Sequence, residues 1–252
     1  MSFKDHIQSF ETLESTMTEG LNAAQNGAPN GTTIIAGSQS GGRGRRGRTW
    51  HSAKGAGLFA TTVVYPQCPR EKAHQLSLVA GVAIHQALTE LGAADAKLKW
   101  PNDILIQDRK LCGILLECID LKDNQGPNTQ AVLIGYGLNL TAAKDLDLPS
   151  DISDLYVGLH GLMDNQPTAQ ACTELILEKL EAAIEDWSQN GLKATLQYWN
   201  SADALQGKTV QAQSANGPIN GEACGLDEQG RLILKDETTT HVIDSGEVFQ
   251  VR

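Results

Sequence analysis

The stretch Gly41-Gly42-Arg43-Gly44-Arg45-Arg46-Gly47-Arg48 limits what this chain can fold into. Guanidinium groups stay charged and resist burial without partners. The interleaved glycines favour neither helix nor strand. Residues 41–48 therefore cannot be core and must form a loop. A buried strand is expected before it, TTIIAG at 32–37 after the Asn30-Gly31 turn. A second follows in LFATTVVY at 58–65, closed by Pro66 and Pro69. Glycine lets backbone amides approach an anion, and arginine grips phosphate or carboxylate in two-pronged fashion. Such a loop should be mobile when empty and ordered around an anion. A merely solvated basic loop, or an RGG-like nucleic-acid contact, is the competing reading.

The surroundings of the loop are acidic. Lys plus Arg number 20 against 30 Asp plus Glu, a formal net charge of -10. That excludes a protein built mainly to coat nucleic acid or to adhere to anionic membranes. No apolar run approaches the ~18 residues a membrane span needs. The sequence start has no apolar signal core. The five cysteines are scattered, without CxxC spacing, and fit reduced thiols in a cytoplasmic protein.

The chain divides by texture. Ser15-Thr16 precede a helix over MTEGLNAAQ, with Glu19 three residues after Thr16 in the manner of a capping box. Residues 71–91 carry a broad apolar stripe and predict a helix packed on a sheet, ended by Gly92. Short strands follow at 97–100, 103–107, 110–119 and 131–140, with a tight turn at Asp108-Arg109. Loops are expected at 122–130 and 141–167, and helices at 168–189 and 192–202. After about Ala204 come short β runs split by Asn-Gly, Asp and Gly signals. The fold class is α+β: a mixed β-sheet packed by helices over residues 1–203, with a small C-terminal β-barrel-like domain over 204–252.

Three further segments stand out. In Lys99-Trp100-Pro101-Asn102-Asp103 the proline holds Trp100 extended, and Asn102 and Asp103 project at a strand end. Ordinary turn chemistry explains the same residues. Lys110 opens an apolar strand, RKLCGIL, whose Gly113 suggests close approach by a ligand or by another backbone. Gly135-Tyr136-Gly137-Leu138-Asn139 repeats the pattern, and a bulged core strand is its alternative. Trp50 is either core or a stacking platform. The histidines show no zinc spacing, and neither a Walker loop nor a GxSxG elbow occurs.

Together, GRGRRGRTW (42–50), KWPND (99–103), RKLCGIL (109–115) and GYGLNL (135–140) resemble the biotin–protein ligase family in order and spacing. Ser15, Thr16 and Gln39 match that family's biotin-pocket positions. The resemblance spans nearly the whole chain. It implies activation of biotin by Mg·ATP as biotinyl-5′-adenylate, then transfer to one lysine of a biotin carboxyl carrier domain. Motifs that begin at Ser15 resemble the monofunctional kind, without a DNA-binding domain, so no specific nucleic-acid partner is expected. A monomer or a homodimer would fit. By resemblance, Lys110, Arg45 and Asp103 are catalytic. Ser15, Thr16, Gln39, Arg43, Lys110, Gly113, Gly135 and Gly137 line the biotin pocket. Arg43, Arg45, Arg46, Trp50, Asn102 and Asn139 meet the nucleotide, and Asp103 is a candidate Mg²⁺ ligand. The nearest alternative is a lipoate- or octanoate-protein ligase or transferase of the same fold.

Overall fold

The computed structural model describes residues 2–52, 54–121, 129–142, 146, 153, 155–162, 166–214 and 217–250. A seven-stranded sheet runs in the order β1-β2-β3-β7-β6-β5-β4. Its strands are β1 (Ile7–Phe10), β2 (Thr33–Ala36), β3 (Gly57–Val64), β4 (Lys97–Lys99), β5 (Asp103–Ile106), β6 (Arg109–Leu121) and β7 (Thr129–Asn139). β1 pairs parallel with β2 and every other neighbour is antiparallel, so the sheet is mixed. β1 was not evident in the sequence, because IQSF is short and lacks alternation.

Alternate residues of β7 face opposite sides, as strand geometry demands. Ala131 and Leu133 pack with Met17 and Ala24 of α1 (Thr16–Gln25). Val132 and Ile134 pack in the larger core with α2 (Leu76–Glu90) and α3 (Ala169–Asn190). A fourth helix, α4 (Lys193–Ala202), seats Trp199, fully buried, against Gly81 of α2. The α1 face of the sheet carries the site described below.

Some expectations need local correction. Ser15 alone caps α1, its Oγ accepting from Met17 N, and Glu19 instead accepts from the Asn22 side chain. The Thr16/Glu19 capping box is therefore absent. The helix expected from 71 begins as a 3-10 turn, Arg70–Gln75, and becomes α-helical at Leu76. The β5–β6 hairpin turns at Gln107 and Asp108, not at Asp108-Arg109. Both central residues have positive φ, 52° and 58°, as the favoured two-residue hairpin loops require. With no glycine at Gln107 or Asp108 to mark the positive-φ positions, the turn is legible only to within one residue. Of the loop expected at 122–130, residues 122–128 lie outside the described residues and 129–130 already belong to β7. Of the loop expected at 141–167 about half is described, including a 3-10 turn at Leu159–Gly161 and a bridge from Tyr156 to Lys110.

A second sheet, of five antiparallel strands, runs β11-β10-β9-β8-β12. It comprises β8 (Thr209–Ser214), β9 (Gly217–Leu226), β10 (Leu232–Lys235), β11 (Thr240–Ile243) and β12 (Val248–Gln250). Asn220-Gly221, which reads as a turn, runs inside β9, where a Cβ on Gly221 would lie 2.9 Å from Lys235 O. The buried Trp100 indole ties the sheets together by donating to Gly230 O at 3.0 Å.

Candidate functional site

A cavity of about 480 Å³ opens on the α1 face. Its inner end is polar, and β3, α1 and the loop after β2 build it. Gln39 Oε1 accepts from Thr16 N at 2.8 Å and from Thr16 Oγ1 at 3.2 Å. Gln39 Nε2 donates to Ser52 Oγ at 2.9 Å. Thr61 Oγ1 donates to Thr16 Oγ1 at 2.9 Å. Ser15 and Thr16 are each 3% exposed, so the hydrogen bonds at this end are made in buried, low-dielectric surroundings.

Glycines make the cavity floor. Gly113 and Gly137 are direct partners across β6 and β7, and Gly135 pairs with Leu115 two residues along, so all three glycines share one face. The Trp50 ring lies on that bare surface. A Cβ on Gly137 would sit 2.4 Å from Trp50 Cε2, and one on Gly113 2.7 Å from Cζ3. Gly113 and Gly137, expected to admit a ligand, admit the indole, which becomes one wall of the cavity, and Gly135 admits Met17, whose Sδ a Cβ there would meet at 2.5 Å. Gly137→Ala is expected to displace Trp50. The check is tryptophan emission, with Trp50→Phe in both backgrounds isolating this indole: an unshifted Trp50 component would contradict the packing.

Lys110 stands at the opening of the floor. Its Nζ lies 2.7 Å from Asp103 Oδ1 and 5.1 Å from the Trp50 ring centre. Gly113 leaves room for it, since a Cβ there would come within 2.8 Å of Nζ. The Lys110 backbone is clamped: its N–H donates to Leu155 O at 2.6 Å, and its carbonyl accepts from Val157 N and Asn139 Nδ2. Asn139 is thus brought to the site as a support beneath Lys110. Lys99, the register partner of Asp103, also lines the cavity, and burial pulls its pKa down.

The arginine loop folds over the cavity mouth. Arg45 Nη1 donates to Asn102 Oδ1 at 3.1 Å and to Gly246 O at 3.3 Å. Burial, then Arg46 nearby, lowers the Arg45 pKa. Asn102 is anchored by donating to Ile114 O at 2.6 Å. Arg46 sits at φ 56° and lies 3.9 Å from Glu247, with which Arg48 also pairs. Arg43 pairs with Glu117 at 3.3 Å. Every sequence-derived site residue except Arg46 borders the cavity. Glu247, Ser52 and Thr61 were not anticipated. Glu247 comes from the connection before β12, distant in sequence, and the other two are single hydroxyl residues in a loop and a strand, with no local pattern to mark them.

The chemistry available is cationic. Arg43, Arg45, Arg48, Lys99 and Lys110 converge on one cavity against Asp103 and Glu247. Such a set stabilises charge on phosphate oxygens. Asp103 is paired with Lys110 here, and among the described residues no group of three metal-ligating side chains occurs. Cys112, fully buried, has its thiol pushed up to about 12 by burial, so it holds no thiolate at neutral pH.

Residues 9–139 match the Biotin/lipoate A/B protein ligase family, and residues 206–250 match the Biotin protein ligase C terminal domain. The chain is 31% identical over 243 residues to the bifunctional ligase/repressor BirA of Bacillus subtilis, covering 96% of this chain and 73% of that protein. It is 34% identical over 244 residues to a biotin–[acetyl-CoA-carboxylase] ligase of Paracoccus denitrificans, covering 94% of this chain and 97% of that protein. The solved biotin protein ligase from Aquifex aeolicus, in complex with biotin and ATP, aligns with a TM-score of 0.83 at 26% identity, covering 98% of this chain and 99% of that one.

Proposed function

The chain belongs to the biotin/lipoate A/B protein ligase family, and from that premise we propose that it couples ATP to the attachment of biotin to a lysine of a carboxylase carrier domain. The observation that carries the choice of biotin is the polar inner end of the cavity. Ser15 Oγ accepts from Met17 N, which leaves its hydrogen to donate to a carbonyl. Thr16 Oγ1 donates to Gln39, which leaves a lone pair to accept from an N–H. A C=O beside an N–H is the hydrogen-bonding signature of biotin's cyclic urea. An octanoyl chain or a dithiolane offers neither and would leave these buried groups unpaired, at about 1–3 kcal/mol each.

In the first step a biotin carboxylate oxygen attacks the α-phosphorus of ATP. The bond to the bridging oxygen breaks, and pyrophosphate leaves with the electron pair. Two anions must meet, so Lys110 holds the carboxylate and α-phosphate oxygens, and Arg43 and Arg45 neutralise the developing charge. Trp50 is the stacking wall. In the second step the acceptor lysine amine attacks the mixed-anhydride carbonyl and AMP leaves. Asp103, beside Lys110, orients that amine. Mg²⁺ would arrive on the triphosphate, in keeping with its preference for phosphate and water ligands. The reading places the reaction in the cytoplasm. Among the described residues no helix is long and apolar enough to cross a membrane.

Pyrophosphate exchange that requires biotin and ignores lipoate and octanoate is the decisive test. Exchange driven by lipoate would overturn the assignment. A transferase working through an acyl-cysteine would need an activated thiol. The buried Cys112 thiol lacks that, so Cys112→Ala is expected to keep carrier labelling within about threefold of the parent, followed by mass shift of a carrier domain. Loss of labelling with an unchanged melting temperature would revive the acyl-enzyme route.

A further inference from the structure

We propose that Thr61 is a positioning residue that steadies the Thr16 hydroxyl in the hydrogen-bond polarity set by Gln39 at the cavity's inner end, and with it the preference for a cyclic urea. This deepens the biotin reading and rests on it. Thr61 lies on β3, fully buried, and does not line the cavity.

The polarity follows from one fixed donor. A backbone N–H can only donate, so Thr16 N at 2.8 Å obliges the Gln39 side chain to present Oε1 to it. Gln39 Nε2 then faces Ser52 Oγ, and the Ser52 hydroxyl hydrogen goes to Trp50 O at 3.2 Å. The Thr16 hydroxyl, 3.2 Å from Gln39 Oε1, has an acceptor before it and donates. Its single hydrogen is now committed. The Thr61 hydroxyl, 2.9 Å from Thr16 Oγ1, can only donate in turn. One Thr16 lone pair is taken by Thr61, and the other remains for a ligand N–H.

Thr61 holds this arrangement in place. The Thr16–Gln39 hydroxyl contact is the longer of the two that Gln39 Oε1 receives. Without the Thr61 donor, the 3.2 Å contact to Gln39 Oε1 is the one bond left to keep the Thr16 hydroxyl from turning its hydrogen toward the cavity. Once turned, it would meet the urea N–H with another hydrogen. The neighbouring Thr62 provides a control. It is equally buried on the same strand, but its hydroxyl meets Thr33 Oγ1, at 3.0 Å.

The experiment measures biotin-dependent pyrophosphate exchange for the parent, Thr61→Val, Thr61→Ser and Thr62→Val. Thr61→Val should raise the KM for biotin about five- to tenfold, the worth of one buried hydrogen bond. The KM for ATP should stay within about twofold. Thr61→Ser should restore the parent value, and Thr62→Val should match the parent. Biotin methylated on a urea nitrogen supplies a second readout: the parent should reject the isomer that blocks the Thr16 contact, and Thr61→Val should narrow that rejection. Should Thr61→Val melt early, Thr61→Ala reads the same hydroxyl without filling its place. A Thr61→Val or Thr61→Ala enzyme with the parent's biotin KM overturns the role of Thr61 and leaves the biotin reading standing. A folded parent with no biotin-dependent exchange overturns both.

Discussion

Lys110→Ala is expected to lower adenylate formation by ~10²–10³-fold, the usual effect of deleting one preorganised donor to a developing oxyanion. The reason is electrostatic. Two anions share one cavity, and Lys110 is the cation placed over the floor where they would meet, held by its backbone contacts to Leu155, Val157 and Asn139. Those contacts are main-chain and survive truncation of the side chain. Asp103 loses its partner but keeps Lys99 opposite it in the β4–β5 register, and the Lys110 side chain is about one-third exposed. The fold should therefore hold, with melting shifted by no more than a few degrees. Biotin-dependent pyrophosphate exchange measures the loss. Exchange near the parent rate would remove Lys110 from the chemistry. Lys110→Arg separates charge from shape: a guanidinium keeps the charge, but Gly113 and Trp50 leave little room for its fork.

The degree to which this site was legible in the sequence tracks how local its parts are. The arginine loop and the glycine-bearing strands announce themselves because each departs from its own surroundings: charge amid an acidic chain, glycine amid apolar runs. Strand periodicity then explains why Gly113, Gly135 and Gly137 matter together. They fall on one face only once β6 and β7 are in register, and the register makes Gly113 and Gly137 partners. What stayed hidden is what the fold brings from afar. Glu247 reaches the loop from just before β12. Thr61 reaches Thr16 across the sheet–helix seam. Nor could the sequence separate the two readings of Trp50. A ring is a platform or a core plug according to what lies beneath it, and here that is a floor without side chains.

Arg45→Gly should weaken retention of the adenylate by roughly ten- to a hundredfold, because one charge-assisted hydrogen bond contributes about 1.5–3 kcal/mol and about 1.4 kcal/mol is tenfold in affinity. The structure adds a second reason. Arg45 is the side chain by which the loop grips both the Asn102 strand end and Gly246, in the connection between β11 and β12. Glycine removes both ties as well as the positive charge, and it lowers the entropic cost of leaving the loop open. Biotin should bind nearly as before, because the Ser15, Thr16 and Gln39 end lies beneath the loop and takes no bond from Arg45. Arg46 is the control: its side chain is half exposed and its ion pair with Glu247 is long, so Arg46→Gly should retain the adenylate within a few-fold of the parent. The consequence of early release is chemical. A mixed anhydride free in solution acylates any exposed amine, so Arg45→Gly incubated with biotin and ATP should label bystander proteins without a carrier domain. If Arg45→Gly labels no bystanders and holds the adenylate as tightly as the parent, the arginine loop does not close over the intermediate.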